Sequence, residues 1–247
     1  EIEYSPPMDL KEYEILGAEI DSHWYYVAKG RAMRSFVKDS QVDEVLDVGA
    51  GSGVFARQLL SAGICRQAVC VDPAYTTEFM ETNNTEKITF VRDMPSPSAE
   101  LVLMMDVLEH VDDDAALLRQ YTEHLGNDGQ VLISVPAFQY LWSGHDVFLE
   151  HRRRYTRETL QATVDKAGLR VVRCRYFFGL LFPGVATARW LFSRRFAAGK
   201  TEAKSALREY PWLINQALIL LHDVERATLF HINRSAGLTL FCVARRA

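Results

Sequence analysis

The segment from residue 44 to residue 73 constrains the fold of this chain more than any other part of its sequence. It runs from an apolar stretch into a glycine loop, "EVLDVGAGSG", then through a helical pattern that Gly63 closes, and into a second apolar stretch, "QAVCVDP". Further apolar strands follow at "KITFVRDMP", "AELVLMMDVLEHV" and "GQVLISVP". Strands that alternate with helices predict a doubly wound, mostly parallel α/β sheet.

The second half of the chain adds two strands and a long interruption between them. A helix at "RETLQATVDKAG", with Thr156 as its N-cap, precedes the strand "LRVVRCRYFF", and "GLTLFCVARR" ends the chain. We predict seven strands in a single domain, 1–247. It comprises an N-terminal helical cap at 1–40, a cofactor-binding core at 41–177, a helical insertion at 178–235 and a last strand at 236–247.

Composition narrows the functional class. The net charge of −4 argues against a nucleic-acid binder, which is usually strongly basic. Four cysteines without paired spacing indicate reduced packing residues. The acidic start "EIEYSPPMDLKEYEIL" does not resemble a secretory signal, so we expect a cytoplasmic protein. The apolar stretches of the insertion are interrupted too often to span a bilayer.

The spacing of the glycine loop distinguishes between ligands. Its glycines fall at 49, 51 and 53, whereas the dinucleotide fingerprint would place its third glycine at 54, where Val54 stands. Asp72 ends the second strand, at a distance typical of a carboxylate that accepts the hydroxyls of a ribose. These features favour a nucleoside ligand without a diphosphate and argue against a nicotinamide oxidoreductase.

Five motifs then occur in a recognisable order: "VLDVGAGSG", "VDP", "VRDMP", "MMDVLEHV" and "LGNDGQVLISVP". Over residues 43–176 the chain resembles the class I S-adenosylmethionine-dependent methyltransferases, which have a Rossmann-like fold. The resemblance implies S-adenosylmethionine as cofactor and S-adenosylhomocysteine as product. It also implies that the cofactor is held by Asp47, Gly49, Ala50, Gly51, Gly53, Asp72, Pro73, Asp93, Met94, Asp106 and Val107.

The N-terminal segment "SHWYY", followed by Arg31, is similar to the cap of a bacterial branch of this family. In that branch the aromatic residues would close over the cofactor, which implies contacts from Tyr25, and Arg31 could meet the cofactor carboxylate. In the alternative interpretation, Trp24 and Tyr25 only pack on the sheet.

The segment "HDVFLEHRRRYT" carries the other motif of that branch, after the fifth strand. This position is the edge of an open α/β sheet where ligands bind. We predict His145 and His110 as catalytic bases, because histidine titrates near neutral pH. Arginine holds carboxylate or phosphate groups well. The predicted acceptor-binding residues are Asp146, His151, Arg152, Arg153 and Tyr155, although the arginines could also form a solvated approach to the helix with one side chain facing inward.

A metal ion is the alternative to a plain base. Asp106, Glu109, His110 and a later histidine, His145, are similar to the metal-binding set of small-RNA 2′-O-methyltransferases. There the ion lowers the pKa of the acceptor hydroxyl. The first acid here is the shorter aspartate, and the same motif is widespread in metal-free relatives, where the acids cap the following helix. We therefore predict no metal from the sequence.

The functional prediction is methyl transfer to an oxygen atom of a small anionic or lipid- or sugar-linked acceptor. A second hypothesis is a non-catalytic S-adenosylmethionine-binding protein that uses the insertion as an interaction surface. The apolar stretches of the insertion must bury one face. They predict a lid on the same domain in a monomer, a homodimer contact, or a peripheral membrane contact.

Overall fold

The computed structural model describes residues 15–38, 41–83, 86–94, 99–196 and 204–247. Within them, one sheet contains eight strands in the order β3-β4-β2-β1-β5-β6-β8-β7. The central pairs are parallel, while β3, at one edge, and β8 run antiparallel to their neighbours. The strands are β1 Glu44–Val48, β2 Gln67–Val71, β3 Phe79–Asn83, β4 Glu86–Val91, β5 Leu101–Met105, β6 Gln130–Pro136, β7 Leu169–Phe177 and β8 Thr239–Arg246.

The predicted count of seven strands was wrong, because β3 was not among the predicted strands. This strand pairs with β4 through, for example, Met80 and Thr89. It is short and largely solvent-exposed, with Phe79 46% exposed and Met80 55% exposed. An edge strand of this kind lacks the buried apolar run by which the other strands can be recognised.

Helices cover both faces of the sheet, as expected for a doubly wound fold. In β5, Leu101 and Leu103 pack into the core below α1 and α2, while Val102 and Met104 pack into the core below α3 and α5. This alternation follows from the period of two along a strand. The helices are α1 Trp24–Val37, α2 Val54–Ser61, α3 Asp114–Thr122, α4 Gly144–Phe148, α5 Arg157–Lys166, α6 Phe182–Phe196 and α7 Trp212–Thr228, with 3₁₀ turns at Gly17–Asp21, Leu108–His110 and Gln139–Leu141.

Local capping agrees with the sequence analysis at α5 and refines it at the N-terminus. The hydroxyl of Thr156 accepts the backbone N–H of Thr159 and so caps α5. Within the helical cap predicted at 1–40, the structure has a 3₁₀ turn followed by α1, and residues 1–14, 39 and 40 lie outside the described part. His23 is the N-cap of α1. The four cysteines are free and buried, as predicted.

The insertion between β7 and β8 forms α6 and α7, and α7 packs against α1. Its buried Glu225 accepts the backbone N–H of Gly179 at 2.6 Å and contacts the imidazole of His222 at 2.9 Å, which ties α7 to the end of β7. The outer face of α7 remains apolar and exposed. Within the described residues, no helix is both long and apolar enough to cross a bilayer. Lys200, Arg194 and Arg195 are cations of the insertion that could meet anionic head groups, but Lys200 and the side chains of the two arginines lie outside the described part.

Candidate active site

The glycine loop lies between β1 and α2, at the carboxyl edge of the sheet. Gly49, Gly51 and Gly53 have φ values of 65°, 53° and 74°, in the left-handed region that glycine tolerates best. A Cβ atom on Gly49 would lie 2.8 Å from the side chain of Val107. Close packing and backbone conformation therefore both require glycine there, and Val107 fixes the loop from the end of β5.

Asp72 ends β2 beneath this loop and is completely buried. Its carboxylate accepts the backbone N–H of Gly51 at 3.0 Å and that of Ala74 at 2.9 Å. The Tyr75 hydroxyl donates to the Gly51 carbonyl at 2.7 Å. In this structure Asp72 therefore braces the loop, and its predicted contact with a ribose stays a prediction. The predicted Pro73 follows it on the surface.

The other predicted cofactor-binding residues lie at the same carboxyl edge of the sheet. The backbone N–H of Asp72 donates to the Val91 carbonyl, which brings the turn after β4 beside the loop. In that turn Asp93 is exposed and accepts the N–H of Met94 at 2.8 Å. Asp47 is buried under the loop, and it lines a small cavity together with Gly49, Ala50 and Asp106.

Asp106 connects β5 to α1 and β6. It follows β5 with a left-handed φ of 59°. Its carboxylate accepts the hydroxyls of Ser134 at 3.0 Å and Tyr25 at 3.3 Å, and it forms a buried ion pair with Lys29. Lys29 itself is completely buried on α1 and also donates to the Tyr25 hydroxyl at 3.0 Å. Lys29 is not among the site residues predicted from the sequence, although a lysine one helical turn after Tyr25, among apolar neighbours, was a usable signal.

Arg31 is not brought to the glycine loop. Its guanidinium pairs with Asp223 of α7, and its surroundings are Arg34, Lys38 and Arg226. Both Lys29 and Arg31 belong to α1, and Lys29 is the one that lies beside Asp106. The predicted contact of Arg31 with the cofactor carboxylate is therefore not supported by its position, because the ion pair holds this side chain between α1 and α7.

A cavity of about 460 Å³ opens on the other side of Asp106. Asp106 thus lines both this cavity and the small one below the glycine loop. Trp24 and Tyr25 belong to its wall, so they do more than pack on the sheet. Most of the lining is apolar, and the polar side chains are concentrated among Asp106, Glu109, His145, His151, Arg154 and Arg189.

Asp146 organises the cluster that follows β6, but it is not among the residues that line the cavity, and its predicted contact with the acceptor stays a prediction. It is completely buried and accepts from Ser143, from His151 Nδ1 at 3.0 Å and from Arg154 Nε at 2.6 Å. Burial opposes its ionisation, but the hydrogen bond from His151 and the charge of Arg154 hold the pKa of the carboxyl well below its usual range. Asp146 therefore orients His151 and Arg154.

Arg152, Arg153 and Tyr155 are not among the residues that line the cavity, and their predicted contact with the acceptor stays a prediction. Arg152 Nε donates to the His110 carbonyl at 2.7 Å, and Arg153 Nη2 donates to the Val111 carbonyl at 2.8 Å. The buried Tyr155 hydroxyl donates to the carboxylate of Asp114 at 2.8 Å. Together they clamp the cluster onto the turn after β5. The arginine that faces inward is Arg154, which the sequence analysis did not select.

His145 lines the cavity from α4, as predicted, but its hydrogen bonding changes its chemistry. Its Nδ1 accepts the backbone N–H of Ala206 at 3.1 Å. Burial, then the nearby His151, lowers the pKa of His145 to about 4, so the ring is neutral near pH 7. A neutral ring that accepts at Nδ1 carries its proton on Nε2. The ring therefore presents a donor at Nε2, and the predicted role of His145 as a general base stays a prediction.

Glu109, His110 and His151 meet at one side of the cavity. One donor atom from each lies within 4.8 Å of the other two. The rings of His110 and His151 are edge-on, with centroids 4.8 Å apart. Burial, then the charge of Asp106, raises the pKa of Glu109 well above its usual range. Neither Asp106 nor Glu109 caps α3, because Asp113 accepts the Ala116 N–H at 2.9 Å and fills that position.

Arg189 brings a cation from the insertion to the opposite wall. It comes from α6, and its Nη1 is buried without a hydrogen-bond partner among the described residues. Burial, then the charge of Arg154, lowers the pKa of Arg189 to about 10, so it remains charged. In the sequence, Arg189 interrupts an apolar stretch of the insertion and belongs to a group of cations that could meet anionic head groups. A lone arginine in such a stretch could have indicated a ligand.

The sheet order and the glycine loop define the class of protein: a doubly wound α/β protein with a nucleoside-type binding edge. Residues 22–173, more than half of the chain, match the family described as the methyltransferase domain. The chain belongs to this family. The family agrees with the resemblance to methyltransferases that the sequence motifs indicate.

Similarity to individual proteins is more distant. Two Mycobacterium tuberculosis proteins named probable S-adenosylmethionine-dependent methyltransferases are 26% identical over 186 residues, which cover 68% of this chain and 64% of theirs. A SAM-dependent methyltransferase from Archaeoglobus fulgidus has a TM-score of 0.52 at 16% identity, covering 96% of this chain and 98% of the other. A Haloferax volcanii protein solved with the Trm112 methyltransferase activator also has a TM-score of 0.52, at 18% identity, covering 92% and 91%. At these identities the structures support the fold.

Proposed function

We propose that this chain transfers the methyl group of S-adenosylmethionine to an oxygen atom of an amphipathic, anionic acceptor. The observation that carries the proposal is the position of Asp106, which lines both the glycine-loop cavity and the large cavity. A cofactor on the loop would direct its methyl group past Asp106 and Tyr25 toward an acceptor in the large cavity.

The lining of the large cavity supports the class of acceptor. Its walls are mainly apolar, and Arg154 and Arg189 supply positive charge. Arg154 is neutralised by Asp146, whereas Arg189 has no ion-pair partner within the described residues. Guanidinium groups bind carboxylate and phosphate groups well. An acceptor with a hydrocarbon part and an acidic group fits both features.

Transfer to oxygen requires alignment and the loss of a proton. In an in-line displacement the acceptor oxygen attacks the methyl carbon, and the electrons of the sulfur–carbon bond remain on sulfur. The polar side of the cavity, with Glu109, His145 and His151, provides groups that can hold a hydroxyl. His145 Nε2 would donate to that oxygen and orient it.

The insertion suggests how such an acceptor reaches the cavity. Arg189 and Val185 of α6 and Ile214 and Leu218 of α7 line the cavity. The opposite face of α7 exposes apolar side chains, including Leu213 at 71% and Leu220 at 64%. An exposed apolar patch on a helix is a feature of membrane-contact surfaces, and here the same helix lines the cavity. We therefore include peripheral membrane contact in the proposal.

The test of the activity uses S-adenosylmethionine with a labelled methyl group, offered with a bacterial lipid extract or a water-soluble extract. We expect label in the acidic lipid fraction, in a form that resists mild alkali as a methyl ether does and a methyl ester does not. Cofactor binding without transfer to either extract would instead support the non-catalytic alternative.

The test of membrane contact is co-sedimentation with anionic vesicles. Replacing Leu213 and Leu220 by Asp should abolish binding and keep cofactor affinity. The control is Val172→Asp, because Val172 is 52% exposed on β7, outside the insertion. A dimer that does not co-sediment with the vesicles would contradict the membrane part of the proposal. The insertion would then be a lid or a dimer contact.

A further inference from the structure

We infer that Glu109, His110 and His151 form a binding site for one divalent metal ion beside the acceptor cavity. Their donor atoms converge within 4.8 Å. Two imidazoles and one carboxylate are a common donor set for Zn²⁺ and for Mn²⁺ or Fe²⁺ in enzymes that keep a coordination position open. The inference deepens the proposed function, since Glu109 and His151 line the cavity in which the acceptor is placed.

Glu109 carries the strongest evidence. It is 0% exposed, and neither carboxylate oxygen has a hydrogen-bond partner within the described residues. The neighbouring acids differ from it, because Asp106 pairs with Lys29 and Asp146 pairs with Arg154. A buried carboxylate without a cation is unfavourable, and a bound metal ion supplies the missing positive charge.

His151 is oriented as a ligand would be. Its Nδ1 donates to the carboxylate of Asp146 at 3.0 Å, so the lone pair is on Nε2. This Nε2 is buried and has no hydrogen-bond partner among the described residues. A carboxylate that fixes the far nitrogen of an imidazole is the usual support of a metal-binding histidine. Asp146 is thus a positioning residue for the metal site.

Arg152 fixes the backbone of the other two ligands. Its N–H donates to the Glu109 carbonyl at 2.7 Å, and its Nε donates to the His110 carbonyl at 2.7 Å. Bonds of about 2.0–2.2 Å to Zn²⁺ place tetrahedral ligands about 3.4 Å apart. Side-chain rotation on this fixed backbone is enough to draw the three donors together around an ion. The observed set differs from the set considered in the sequence, because His151 takes the place of His145 and Asp106 is occupied by Lys29.

The ion would act on the acceptor hydroxyl. A hydroxyl bound at the open position has a lowered pKa and releases its proton to water. The resulting oxygen then takes the methyl group, the sulfur–carbon bond breaks, and the electron pair stays on sulfur. The cofactor leaves as S-adenosylhomocysteine, so no further reactant is needed.

The test is Mn²⁺ binding to the metal-stripped full chain, followed by electron paramagnetic resonance without cofactor or acceptor. We expect one Mn²⁺ per chain. Glu109→Gln, which keeps the shape of the side chain, and His151→Asn should each weaken binding at least about tenfold. Matched controls are Glu123→Gln and His124→Asn, because these residues form an acid–imidazole pair at 3.3 Å on the surface. Both controls should bind like the wild type.

Two results would overturn the inference: no Mn²⁺ or Zn²⁺ bound by the wild type at millimolar concentration, or unchanged binding in Glu109→Gln. Circular dichroism checks that each variant is folded, and His110→Asn replaces any variant that is not. The metal measurement does not depend on methyl transfer. An ion that binds without label transfer would count against the proposed function alone, and transfer that survives chelation would count against the metal alone.

Discussion

The cofactor side and the acceptor side of this site are built in different ways. The cofactor side consists of the glycine loop and Asp72, which come from two adjacent strands and are held by backbone hydrogen bonds such as Gly51 N–H to Asp72 at 3.0 Å. The acceptor side is made of side chains from distant segments, with Tyr25 from α1, His145 from α4 and Arg189 from α6.

The difference indicates which changes in sequence each side of the site can tolerate. A loop defined by backbone conformation depends on a few glycines, and it can serve one cofactor in many proteins. A cavity defined by side chains depends on which segments pack together, so its specificity can change without altering the sheet. Asp106 belongs to both sides, and a change there should have the largest effect.

Asp106→Ala should destabilise the protein by about 3–5 kcal/mol, because it leaves Lys29 charged and buried without its partner. Lys29→Met in the same chain should restore part of that stability, since an apolar side chain then replaces the ion. Urea unfolding of the single and double variants measures both effects. An unchanged midpoint for Asp106→Ala would show that the ion pair does not hold α1 to β5.

Gly49→Ala tests the cofactor side. The left-handed conformation costs an L-residue about 1–2 kcal/mol. The contact with Val107 at 2.8 Å adds overpacking of about 1–3 kcal/mol. Gly168→Ala is the control, because Gly168 has a φ of 80° and a Cβ there would meet nothing within 4 Å. Calorimetry should show weaker cofactor binding for Gly49→Ala and unchanged binding for Gly168→Ala. Equal losses of unfolding free energy in the two variants would mean that the left-handed backbone, and not the contact with Val107, causes the destabilisation.

Arg189→Met tests the acceptor side. We expect the KM for an anionic acceptor to rise about 10- to 100-fold, from the loss of a charged hydrogen bond of about 1.5–3 kcal/mol. Cofactor affinity should remain unchanged, because Arg189 lines only the large one of the two cavities that Asp106 joins. Arg170→Met, an exposed arginine on β7, is the control and should behave like the wild type. An equal change in both variants would remove Arg189 from acceptor recognition.

The smallest expected effect is a pH dependence at the junction of the cap and the insertion. His23 Nε2 donates to the Arg208 carbonyl at 3.2 Å, and its Nδ1 accepts the Tyr25 N–H at 3.4 Å. Burial lowers the pKa of His23 and outweighs the opposing effect of the Arg208 carbonyl. The unfolded chain therefore binds this proton first as pH falls, and stability is full above the unfolded pKa and is lost below it.

His23→Asn keeps a capping side chain that does not titrate. Between about pH 7.5 and about pH 5, the wild type should lose about 0.5–1.5 kcal/mol more stability than this variant. Urea unfolding of both proteins at both pH values measures their free energies of unfolding. The other titrating groups contribute equally to the two proteins, so their contributions cancel in the comparison. Parallel losses would show that His23 stays neutral over this range or does not hold the cap.

Sequence reasoning succeeded where chemistry follows from neighbours along the chain. The βαβ unit, the positions of the glycines and the Thr156 cap depend on residues within a few positions of one another. It failed for β3, because this exposed edge strand is defined by its pairing with β4 and has no buried apolar run that the sequence could show. The sequence also left open which arginine of the run 152–154 lines the cavity, because the residue types in a run of three arginines do not show which one faces inward.

By itself, the sequence determined the α/β class, the nucleoside-type loop and the methyltransferase family, since these depend on local patterns of period and spacing. Only the tertiary structure decided that Lys29 rather than Arg31 lies beside Asp106, that Arg154 and Arg189 share a cavity, and that His151 rather than His145 meets Glu109. Each of these depends on contacts between segments far apart in the chain. Burial and packing direction fix such contacts, and neither is encoded in the spacing of a motif.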